Sequence, residues 1–88
     1  MADHSQPERF KKQLTEHYNF PASYLFKFIV PVAEKETFRK LFPDISFYVK
    51  NSKTGKYLSF SAKIVVNSSE EIIEIYMKAS TVEGIISL

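Results

Sequence analysis

The sequence predicts an α+β domain: two helices on one face of a four-stranded antiparallel sheet, with an additional helix at the N-terminus. Three observations carry this. Residues 22–30 and 56–66 alternate with the period of two that marks a half-buried strand. Three other stretches place apolar residues at helical spacing. Pro, Gly and Ser/Asn clusters separate these stretches, and two shorter apolar runs complete the sheet.

Taken in order, residues 7–18 read as a helix. Pro7 suits a first helical turn, and Phe10, Leu14 and Tyr18 recur every four residues. Residues 22–30 form the first strand, with Tyr24, Phe26, Phe28 and Val30 on one face and Leu25, Lys27 and Ile29 on the other; Pro31 ends it. Residues 33–42 form a second helix. Glu34 and Glu36 lie in its first turn and Arg39 and Lys40 in its last, matching the helix dipole, and Pro43 stops it. Residues 45–50 form a short strand with Ile45, Phe47 and Val49 inward.

A turn around Lys53-Thr54-Gly55 joins that strand to the longest one as a hairpin. There Leu58, Phe60, Ala62, Ile64 and Val66 share one face, and Tyr57, Ser59, Ser61, Lys63 and Val65 the other. Ser68-Ser-Glu-Glu71 fits the S-x-x-E capping pattern and opens a helix with Ile72, Ile75, Tyr76 and Ala79 on one stripe. Thr81 to Leu88 reads as a final apolar strand. Residues 1–6 are expected to form a disordered tail, and 7–88 a single domain.

After the first helix the order is βαββαβ, the ferredoxin-like arrangement. Right-handed crossovers then give the sheet order 4-1-3-2. The first and third strands lie centrally, so Leu25, Lys27, Tyr57, Ser59 and Ser61 become one outward patch.

Composition bounds the function. Eighty-eight residues permit one core. Eight Phe and five Tyr supply it with large side chains. With no Cys there is no disulfide framework, thiol nucleophile or thiolate metal site, which fits a cytoplasmic setting. No apolar run approaches the length of a membrane span, and the first residues lack the pattern of a signal peptide. The net charge of +2 does not demand nucleic acid. Its distribution is more telling. No acidic residue occurs between Asp44 and Glu70, a stretch that holds Lys50, Lys53, Lys56 and Lys63. Such lysines contact an acidic partner, or guard an exposed edge against association.

The segment Asn51-Ser-Lys-Thr-Gly55-Lys-Tyr57-Leu-Ser59 resembles the signature hairpin of the YbeD-like family of small bacterial proteins. Phe20-Pro21 before the first strand, Lys27 within it, and the last helix with Tyr76 are also similar, so the resemblance covers about residues 18–88. It implies a ferredoxin-like fold resembling ACT regulatory domains, an uncharacterised role and a suggested association with lipoate metabolism. ACT domains use a Gly after the first strand for close approach to an amino acid. This chain has Val30-Pro31-Val32 there, which departs from that pattern.

The residues exclude several chemistries known on this fold. Copper chaperones need Cys-x-x-Cys. Acylphosphatases need an Arg after the first strand, whereas Arg9 and Arg39 fall in helices. His17, at a helix end, lacks a nucleophile and an orienting partner, and His4 lies in the predicted tail. Ser59 and Ser61 have no neighbouring base in the sequence. Glu70, Glu71 and Glu74 serve the helix start rather than a metal. The chain's glycines, Gly55 and Gly84, make no phosphate loop. The expectation is a non-enzymatic regulatory or interaction module with no cofactor, binding a protein or small acidic metabolite through the sheet face, with a homodimer as a further arrangement. The site residues are Lys27, Tyr57, Ser59, Ser61 and Lys63, with Lys50, Lys53 and Lys56 as a secondary set. The alternative is an RNA-binding module using the central strands and the basic hairpin.

Overall fold

A computed structural model describes residues 7–88, without the side chains of Pro7, Glu8, Thr15 and His17. The predicted tail, His4 and the His17 imidazole lie outside the described residues. The elements are α1 (Pro7–His17), β1 (Ala22–Pro31), a 3-10 turn (Val32–Glu34), α2 (Lys35–Leu41), β2 (Tyr48–Asn51), β3 (Tyr57–Val66), α3 (Ser69–Ala79) and β4 (Ile86–Ser87). The sheet is antiparallel in the order β2-β3-β1-β4, the predicted order read from the other edge. This is the ferredoxin-like sandwich.

The two central strands pair along their whole length, from Ala22 opposite Val66 to Pro31 opposite Tyr57. Alternation then sorts their side chains. Phe26, Phe28, Val30, Leu58, Phe60, Ala62 and Val66 are buried on the helix side. α2 contributes Phe38, whose ring centroid lies 4.6 Å from that of Phe60 and 5.5 Å from that of Phe28. α3 contributes Ile72, Tyr76 and Ala79. Fully burying an apolar side chain of this size contributes about 1.5–3 kcal/mol, so this ring cluster dominates the stability of a small domain.

α1 packs beside α3 on the helix side and leaves the opposite sheet face uncovered. Phe10 and Leu14 are buried, and the Phe10 ring meets Tyr76 edge-on at 5.8 Å. Lys11 pairs with Glu70 at 3.4 Å. Tyr76 in turn contacts Phe26 and Phe28 and shares a 3.0 Å hydrogen bond with the Tyr24 hydroxyl. Burial, and then the Tyr24 hydrogen bond, push the Tyr76 phenol well above its ordinary pKa.

Three elements start two or more residues later than the sequence predicts. The second helix starts as a 3-10 turn, and its α-helical part is only Lys35–Leu41. β2 begins at Tyr48 rather than residue 45, because the Ile45 N–H donates to the Phe42 carbonyl in the turn after α2. Ile45 and Phe47 still pack on the core. The final strand is Ile86–Ser87 rather than Thr81–Leu88. The N–H groups of Ser80, Thr81, Val82 and Ile85 all close turns behind α3, so the chain joins the ladder late. At the start of α3 the Ser68 hydroxyl accepts from Glu71 N–H, as predicted. The Glu71 carboxylate, however, accepts from Asn67 N–H, one residue before the cap.

Candidate functional site

The uncovered sheet face is assembled row by row by the ladder. Pairing sets Ile86, Ile29, Ser59 and Lys50 side by side across all four strands. Two residues along, Lys27, Ser61 and Tyr48 make the next row, and the Leu88 N–H donates to the Lys27 carbonyl at 2.9 Å, extending it. Leu25 faces Lys63, Ser23 faces Val65, and Tyr57 lies opposite Pro31 at the far end. Directly opposed residues have Cβ atoms about 4.5–5.5 Å apart, so each row is a contact surface.

The structure therefore places Lys27, Tyr57, Ser59, Ser61 and Lys63 on one face. It divides the secondary set. Lys50 joins the face beside Ser59, whereas Lys53 and Lys56 lie at the hairpin tip. That tip is built locally: Gly55 N–H donates to the Ser52 carbonyl, Tyr57 N–H to the Ser52 hydroxyl, and Gly55 takes a φ of 72°. The Lys56 carbonyl accepts from Val32 N–H, tying the tip to the end of β1.

Apolar residues form the larger part of this surface. Nine large hydrophobic side chains are exposed among the described residues, and six of them lie here: Leu25, Tyr48, Tyr57, Val65, Ile86 and Leu88. Ile29, half-buried, joins them. Charge is one-sided. None of the four strands contains Asp or Glu, and Lys27, Lys50 and Lys63 are exposed with no ion pair among the described residues. The alternation of β1 and β3 signals Leu25, Ile29 and Val65. Ile86 and Leu88 are assigned only by pairing, because an all-apolar run such as Ile85-Ile86 has no readable phase.

Ser61 lies opposite Lys27, a pairing that only the fold creates. A lysine that activates a serine is desolvated and oriented by a third group. Lys27 is exposed rather than desolvated. At the end of β1, the Pro31 ring fills the space beside Gly84, where an added Cβ would come within 3.0 Å of Pro31 Cγ. A shallow cleft of about 470 Å³ at the end of α2 is lined by Arg39, Phe42, Asp44, Ser46 and Phe47, on the helix side. Among the described residues no group of three His, Cys, Asp or Glu side chains is placed to hold a metal ion, and no helix is long and apolar enough to cross a membrane.

A family model described as a protein of unknown function (DUF493) matches residues 15–88. It spans β1 to β4 and takes in the stretch that carries the resemblance read from the sequence. No curated protein and no solved structure matches the chain.

Proposed function

The chain belongs to the DUF493 family, whose function is unknown, and within it we propose that this protein is a non-enzymatic interaction module working through its uncovered sheet face. The observation that carries the reading is the concentration of exposed apolar residues on a face whose charged side chains are all positive. Contiguous exposed apolar surface rimmed by polar residues marks interaction sites. Tyr57 acts as an aromatic anchor, Lys27 and Lys63 supply charge, and Ser59 and Ser61 supply adaptable hydrogen bonds. The partner is a protein or a small acidic metabolite. A reducing, cytoplasmic setting suits a chain with no cysteine.

The test pairs two face variants, Lys27→Glu and Tyr57→Ala, with recovery of bound partner from the native cell. Loss of the partner from variants that keep the wild-type unfolding midpoint supports the reading. Full recovery by both refutes it. Turnover of an acyl phosphate or thioester that disappears in Ser61→Ala or Lys27→Ala would replace it with an enzymatic one. RNA binding is the second reading, favoured by Tyr48 and Tyr57 beside three lysines. Against it, β1 presents Leu25, Lys27 and Ile29 outward, with no ring for base stacking. A salt-dependent electrophoretic shift with single-stranded RNA would establish it.

A further inference from the structure

We propose that the uncovered face docks an amphipathic helix of a partner protein, with an apolar stripe flanked by carboxylates. This deepens the interaction reading and rests on it. The geometry comes from the rows of the ladder. Ile86 and Ile29, then Leu88, then Leu25, then Val65 trace an aliphatic band that crosses from β4 over β1 to β3. From the Ile29 row to the Val65–Ser23 row the band advances six residues, about 20 Å at the rise of a strand. A helix covers that distance with about 13 residues, enough for apolar positions at i, i+3/i+4, i+7 and i+11. Sheets bury an apolar face against helices, as this sheet already does against α2 and α3 on its other side.

Charge selects the sign of the flanks. Lys27 stands within the band, Lys63 faces Leu25 across it, and Lys50 closes the β2 edge. With no acidic side chain on any strand, Asp or Glu along both sides of an incoming helix would meet these ammonium groups. The same fact disfavours a second copy seated face to face. A two-fold axis would set a face whose charged side chains are all basic against itself, with Lys27 on a central strand and no acidic side chain on the strands to compensate it. Shape disfavours a small metabolite, which needs a concave site; α1 packs beside α3 and raises no wall on this side. The face offers RNA no pair of neighbouring rings, because Tyr48 and Tyr57 lie on different strands and in different rows.

The experiment is an NMR titration of the full ¹⁵N-labelled chain with four defined probes. They are a helical peptide with a leucine stripe flanked by Glu, its twin with Lys replacing Glu, citrate, and oligouridylate. The expected result is amide shifts centred on Leu25, Lys27, Ile29, Lys63 and Ile86 with the Glu peptide. These should weaken as salt rises and be at least about tenfold weaker for the Lys twin. Leu25→Ser should weaken the Glu peptide by about tenfold, because it removes one aliphatic anchor. Met77→Ser, on the exposed side of α3, should change nothing. Equal binding of the two peptides overturns the helix proposal. So do concentration-dependent shifts of these amides without any probe, which indicate a second copy. If citrate alone shifts the face, the helix proposal fails while the interaction reading stands. If oligouridylate alone binds, or no probe moves these amides, both fail.

Discussion

Replacing Tyr57 and Phe60 by alanine, one at a time, separates the two faces of β3. Phe60 is fully buried, with the Phe38 ring at 4.6 Å, the Phe47 ring at 5.7 Å and the Arg39 guanidinium 5.6 Å above its own ring. Truncating a buried Phe costs about 3–5 kcal/mol, from lost burial plus the cavity left behind. A domain of this length has roughly 4–13 kcal/mol in total, so Phe60→Ala brings the protein close to unfolding. Phe60→Leu keeps much of the volume and gives a measurable intermediate, about 1–2 kcal/mol. Tyr57 is 41% exposed and faces Pro31 from the open side. Its truncation gives up partial burial and some strand preference, about 1 kcal/mol. With a urea slope of about 1 kcal/mol/M for a small domain, Tyr57→Ala should lower the midpoint by about 1 M and Phe60→Ala by about 3 M or more. The assay is urea unfolding followed by circular dichroism, with Phe60→Leu placed between the two. If Tyr57→Ala unfolds the protein as badly as Phe60→Ala, the face is covered from within. The binding site would then have to move to the hairpin at Lys50–Lys56.

Three further outcomes are expected. Tyr76 is held neutral in the fold, while an unfolded tyrosine ionises near its ordinary value of about 10. Its contribution should therefore be complete below about pH 10 and fall by up to about 1.4 kcal/mol per pH unit above it; Tyr76→Phe should flatten that alkaline decline in a pH series of unfolding curves, and an unchanged decline would contradict it. Gly55 and Gly84 both have positive φ, but only Gly84 meets a neighbour, so Gly55→Ala should cost about 1 kcal/mol and Gly84→Ala clearly more, as read from unfolding midpoints. Leu14→Ala should destabilise by about 2–5 kcal/mol in a single cooperative transition, because Leu14 is part of the core; an unchanged midpoint would show α1 to be energetically separate.

Much of the fold was legible in the sequence because β1 and β3 alternate cleanly. Phe26, Phe28, Leu58 and Phe60 could lie only on one face, and Leu25, Lys27, Ser59 and Ser61 only on the other. The S-x-x-E start of α3 was equally plain, since capping chemistry is local. The ends of α2, β2 and β4 were less so. Their limits depend on which carbonyl captures a given N–H, as where Ile45 turns back to Phe42. Local pattern also contained the basic run from Lys50 to Lys63 and the absence of cysteine, and with them the exclusion of thiol chemistry. Only the tertiary structure decided where α1 goes. Phe10 and Leu14 demand burial but do not name a surface, and the Tyr76 ring on α3 provided it, leaving the sheet face free. Only strand pairing brought Ile86 and Leu88 beside Ile29 and Lys27 and set Lys50 beside Ser59. Such neighbours lie up to about sixty residues apart in the chain, and register across strands is set by the packed core rather than by any local run of sequence.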